Sequence, residues 1–210
     1  MRFKSIFFCL LFLSVFFVFT VHFSLSQDID ELLTKWEKQL KDQNLITCDI
    51  KQTKSTEFLV DEVSLHGTFH YKYPHFFRIK LKGDENYELY CDGQTIHIID
   101  HDLGEVKAYD FEDLTSQQGM PRLLIPVLGE TKTEIKNNYE ITYDESKDQY
   151  RLEPKGTSNL TYKSIAFRVD QRDRIQWMKV TYSNHDWTET EFKNWKEHGP
   201  VSDYFFKYLK

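Results

Sequence analysis

The stretch from Gly67 to Asp100, GTFHYKYPHFFRIKLKGDENYELYCDGQTIHIID, constrains this chain more than any other. Apolar and polar residues alternate through it, as a sheet with one buried face requires. Leu65, Gly67, Phe69, Tyr71 and Tyr73 point one way, and His66, Thr68, His70 and Lys72 point the other. Pro74 interrupts the ladder, after which Phe77, Ile79 and Leu81 resume the apolar phase. Asp92-Gly93 supplies a tight hairpin turn before Ile96 and Ile98. So many bulky side chains on one face must be covered or filled.

The same period of two extends along the chain. It predicts strands over 45–53, 57–62, 65–73, 76–82, 86–91, 94–100 and 105–110, then 138–143, 149–153, 161–169, 174–182 and 187–194, and a last one near 203–209. The intervening turns, such as Gly83-Asp84 and Asp102-Leu103-Gly104, are hairpin-short, so the sheet is expected to be antiparallel. One clear helix precedes it over 28–42, with Ile29, Leu32, Leu33, Trp36 and Leu40 on one stripe and Asp28 and Glu31 as a capping box. Residues 112–130 break the pattern: Leu123, Leu124, Val127 and Leu128 cluster between Pro121 and Gly129, and Pro126 kinks the run. One or two short helices are expected there.

The first 26 residues read as a secretory signal: Arg2 and Lys4, an apolar run from Ile6 to Phe23, then Ser24-Leu25-Ser26 before a cut at Gln27. Left uncut, that run approaches the ~20 residues that span a bilayer and would serve as an anchor. Lipidation at Cys9 is rejected, because Phe8 is not the small residue such attachment needs. Residues 27–210 then form a single domain with 25 basic and 33 acidic side chains, a net charge of −8. That balance disfavours nucleic acid or an anionic membrane surface as partner.

Cys48 and Cys91 remain after cleavage, both on the apolar phase of their strands. A disulfide and two buried thiols are equally compatible with that placement in an oxidising compartment. The pairs His66/His70 and His97/His101 share a strand face but lie about 13 Å apart at roughly 3.3 Å per residue, so neither pair grips a metal unaided. No nucleophile elbow, zinc-protease motif or phosphate loop occurs. No catalytic residue, metal or cofactor is expected. Asn159-Leu160-Thr161 matches a glycosylation acceptor, a triplet common by chance.

Several segments, in order, resemble the LolA family, the periplasmic outer-membrane lipoprotein carriers of Gram-negative bacteria. They are LITCDIKQT, GTFHYKYPHFFRI, CDGQTIHIID, YRLEPK, SIAFRVD, IQWMKV and TETEFKNW, running from about Ile29 to Tyr208. The resemblance implies a mainly β fold, an incomplete curved antiparallel barrel closed by a helical lid. It also implies a monomeric carrier that takes acyl chains of a lipoprotein, or a related lipid, from an inner-membrane releasing transporter to an outer-membrane acceptor. Phe69, Tyr71, Phe77, Ile79, Leu81, Leu89, Ile96 and Ile98 would line the acyl cavity. Trp36 and Leu40, with Leu123, Leu124, Val127 and Leu128, would form the lid. One departure matters: the arginine that precedes the proline in the family, and helps hold the lid, is Tyr73 here. A lipid- or protein-sensing module of the same fold, with an uncleaved membrane anchor, is the second reading. A lipid-acting enzyme is a third, without a recognisable nucleophile.

Overall fold

A computed structural model describes residues 29–39, 41–42, 45–56, 61–111, 131–156 and 162–209. The expected signal segment, Leu40, the 112–130 cluster and the glycosylation triplet lie outside them. Helix α1 covers residues 29–39. Strands β1 (Leu45–Ser55), β2 (Val63–Lys72), β3 (Phe76–Gly83), β4 (Tyr87–Asp92), β5 (Thr95–Asp100) and β6 (Glu105–Asp110) follow. Helix α2 (Lys132–Asn138) leads into β7 (Tyr139–Asp144), β8 (Gln149–Pro154), β9 (Tyr162–Val169), β10 (Ile175–Tyr182) and β11 (Trp187–His198).

All eleven strands form one sheet in the order β6-β5-β4-β3-β2-β1-β11-β10-β9-β8-β7. Every pairing is antiparallel. The two meanders join where β1 meets β11, and the ends, β6 and β7, do not pair, so the barrel is open as expected. Turn chemistry sets the hairpins. Asp92 Oδ1 accepts from the Gln94 and Thr95 N–H groups at 3.2 and 2.9 Å, and Gly93 takes the positive φ of +91° that the turn demands. Gly67 serves a different need: a methyl there would lie 1.6 Å from the Lys80 carbonyl oxygen, because β2 and β3 come very close at that point.

The structure overturns one expectation, adds a helix and decides an alternative that the sequence leaves open. The terminal segment is not a strand but a strap with a 3-10 helix at Asp203–Phe206, crossing the outer face of β2–β5. Its rings pair with side chains rather than with a ladder: Phe205 lies 5.3 Å from His70, Phe206 5.7 Å from Phe76, and Tyr208 5.2 Å from His97, centroid to centroid. Helix α2 was not anticipated, although Thr131 and Glu134 form a complete capping box at its start. The strand expected over 57–62 lies mostly outside the described residues, and 61–62 belong to no strand. Finally, Cys48 and Cys91 are buried free thiols. Their strands are separated by β2 and β3, three spacings or about 14 Å along the sheet, beyond the ~7 Å between Cα atoms that a disulfide tolerates.

Candidate functional site

Residues directly paired across an antiparallel ladder point to the same side, so the registers define the inner, concave face row by row. The first row is Ile46, Tyr71, Phe77, Cys91, Ile96 and Tyr109. The second is Cys48, Phe69, Ile79, Leu89 and Ile98, ending in Lys107. A third holds Phe192, Ile50, Gly67, Leu81 and Tyr87. All eight expected cavity residues therefore lie on one face. Phe69, Tyr71, Phe77, Ile79, Leu81 and Ile96 are buried, while Leu89 and Ile98 are half-buried. Burial drives the pKa of the Cys91 thiol up to about 12 and that of the Tyr71 phenol further still, as expected where water is scarce. The Tyr71 hydroxyl donates to the Pro74 carbonyl at 2.9 Å.

The face continues beyond β1 through residues that the sequence reading left out. Met178, Phe167, Tyr150 and Tyr143 form one row there, and Val180, Ile165, Leu152 and Ile141 form another. Their alternation is as regular as that of β2–β5, but only the β1–β11 pairing places them on the same surface. Helix α1 lies on this half. Leu32, Leu33 and Trp36 are buried, and the Trp36 ring sits 5.3 Å from Phe167. The space left between α1 and Tyr150, Leu152, Ile165 and Phe167 is about 10 Å³, at the threshold for one water. A larger group enters this space only if the helix moves.

The polar anchors of α1 lie at its edges. The Trp36 indole N–H donates to the Asp173 carbonyl in the β9–β10 turn, and Lys35 approaches the Asp173 carboxylate at 3.3 Å. On the other flank Asp30 pairs with Lys136 at 2.8 Å and Lys132 at 3.4 Å, both from α2. The Lys136 hydrogen bond is the largest cause holding the Asp30 carboxyl below its ordinary range. Tyr73 is half-buried against the core edge. The pKa of the Lys41 ammonium is raised mainly by Glu37, with Tyr73 adding a smaller electrostatic contribution.

The outer face of the same strands carries a charged knot. Glu88 is buried among Lys80, Arg78 at 3.6 Å and His101 at 3.5 Å, and accepts from the Tyr90 hydroxyl at 2.6 Å. Among the described residues no three His, Cys, Asp or Glu side chains converge to hold a metal.

An open antiparallel sheet with an apolar face, half of it covered by an amphipathic helix, offers an extended hydrophobic surface. The family profile described as outer membrane lipoprotein carrier protein LolA matches residues 41–209, and the chain belongs to that family. The outer-membrane lipoprotein carrier protein of Francisella tularensis subsp. tularensis is 22% identical over 192 residues, covering 91% of this chain and 88% of that one. A DUF1329 family protein from Desulfovibrio piger superposes with a TM-score of 0.47 at 12% identity, over 86% of this chain and 96% of that one. A LolA superfamily protein from Nitrosomonas europaea gives 0.44 at 10% identity, over 88% and 98%.

Proposed function

We propose that this protein is a periplasmic carrier that holds the acyl chains of a lipoprotein, or of a related lipid, on the concave face of its sheet, and moves them from an inner-membrane transporter to an outer-membrane acceptor. The observation that carries this reading is an apolar concave face, half of it occupied by a helix from the same chain. Phe69, Tyr71, Phe77, Ile79, Leu81, Leu89, Ile96 and Ile98 line the site in this reading, and α1 with the 112–130 segment is the lid. The N-terminal 26 residues serve as the export signal.

The energetics support an exchange between lid and ligand. Exposing Leu32, Leu33 and Trp36 costs about 6 kcal/mol in all, at roughly 2 kcal/mol per buried large side chain. Eight acyl methylenes taken from water return about the same, at ~0.8 kcal/mol each. Loading and release then run near balance without a nucleotide bound to the carrier. Mass spectrometry of protein purified from a bacterial periplasm is the test. Co-purified acyl lipid, displaced by added lipopeptide, is the expected result; no bound lipid together with no uptake of a fluorescent fatty acid refutes the reading.

A further inference from the structure

The C-terminal strap seals the outer face of β2–β5, and one histidine lies under the seal. Phe206 is fully buried against Phe76, and Phe205 meets it edge-on with ring centres 5.1 Å apart. Lys72 holds the start of the strap, donating to the Val201 carbonyl at 3.0 Å and to the Asp203 carboxylate at 2.6 Å. Phe205 packs on the His70 ring and also receives the Arg78 guanidinium, 5.5 Å from its ring centre. The His70 Nδ1 is enclosed and has no hydrogen-bond partner among the described residues.

We propose that the strap is an acid-released latch, closed while the His70 imidazole is neutral and lifted when the ring takes a second proton. The chemistry follows from the imidazole. A neutral ring has one N–H and can leave its other nitrogen an idle acceptor, whereas an imidazolium carries N–H on both nitrogens and a charge. An enclosed Nδ1 offers that second N–H neither water nor an acceptor, so protonation costs less with the strap lifted. The surrounding charges act in the same direction. From β3, Arg78 is the paired neighbour of His70, and Lys80 lies one outer position further. His198, at the end of β11, bonds Thr47, the residue paired with His70 on β1. The carboxylates at neighbouring outer positions are engaged, Asp203 of the strap with Lys72 of β2, and Asp49 of β1 with Asn194. Burial, and then the Arg78 charge, hold the His70 pKa below the usual histidine value, against a smaller contribution from the Arg78 backbone. Since the closed state has the lower value, closure is complete above the ordinary histidine value and weakens as pH falls below it. The Phe205 ring already carries one cation, so it does little to offset a second. Lifting the strap bares Phe76, Tyr90 and His97, whose rings it covers when closed. The latch is independent of what the inner face carries.

The test is hydrogen exchange of the purified chain, with protection normalised to the intrinsic rate at each pH. Between about pH 7.5 and about pH 5, the span in which histidine titrates, amides of 201–207 are expected to lose protection about fivefold or more, while β1 and β11 keep theirs. His70→Phe keeps a ring against Phe205 and cannot take a proton, so its strap is expected to stay protected at both pH values. Strap protection that does not change with pH in the unaltered chain, or that falls equally in His70→Phe, overturns the latch. Should His70→Phe not fold, Phe205→Ala decides. With the covering ring removed, the His70 ring followed by NMR is expected to titrate nearer the ordinary histidine value than in the unaltered chain, and an unmoved midpoint overturns the latch.

Discussion

Replacing Trp36 with alanine separates a lid from a structural core element. Trp36 is 7% exposed, packs on Phe167 and donates its indole N–H to the β9–β10 turn. Truncating a buried tryptophan costs about 3 kcal/mol at the low end of the usual range. If α1 opens independently of the sheet, that cost falls on the opening equilibrium alone. The open population then rises about a hundredfold, at one decade per ~1.4 kcal/mol. Hydrogen exchange read by mass spectrometry at peptide resolution checks this. Amides in 29–39 are expected to lose about two decades of protection, while β1 and β11, paired along nearly their whole length at the centre of the sheet, keep theirs. Trp36→Phe keeps a ring against Phe167 and loses only the donor, so its effect should be nearer one decade. A uniform loss of protection across α1, β1 and β11 would refute the reasoning, because α1 would then be part of the global folding unit.

Glu88 makes stability depend on pH. Burial pushes its carboxyl up, but the hydrogen bonds from Lys80 and Tyr90 and the charges of Lys80 and Arg78 outweigh that and hold it at about 2, below the ordinary 4.5. Since the folded value is the lower one, the contribution is complete above pH ~5 and is lost as pH falls through 2; at neutral pH it amounts to about 3 kcal/mol. Glu88→Gln should therefore lower stability in urea titrations at pH 7 by up to about that amount and converge with the unaltered chain as pH approaches 2. Gly67→Ala places a methyl against the Lys80 carbonyl and should destabilise by about 2 kcal/mol or more; a stability within 0.5 kcal/mol of the unaltered chain would show that β2 and β3 part easily. Alkylation of the denatured chain without reductant should label both Cys48 and Cys91, and protection of either would mean that they pair or are otherwise oxidised.

Most of the strands were legible because period-two patterns are local. The alternation in Leu65–Tyr71 and Phe77–Leu81 matches the buried positions of β2 and β3 at every position but Gly67, which is half-buried. The terminal segment misled for the same local reason. Phe205, Phe206 and Tyr208 look like a strand, yet their partners are the side chains of His70, Phe76 and His97 on other strands. Helix α2 escaped because seven residues with a single buried side chain, Ile135, carry too little periodicity to notice.

Sequence by itself determined the antiparallel sheet, the amphipathic opening helix, the turn residues and the apolar lining of β2–β5, since each depends on neighbours within a few positions. Only the tertiary structure decided that β1 pairs with β11, some 140 positions away. That single pairing joins two meanders into one concave face and puts the seat of α1 at Phe167 on the same surface as β2–β5. It also puts Lys54 beside Thr188 at one end of the sheet. Contacts between residues far apart in the chain carry no period for a sequence to display, and the shape of the binding face is made of such contacts.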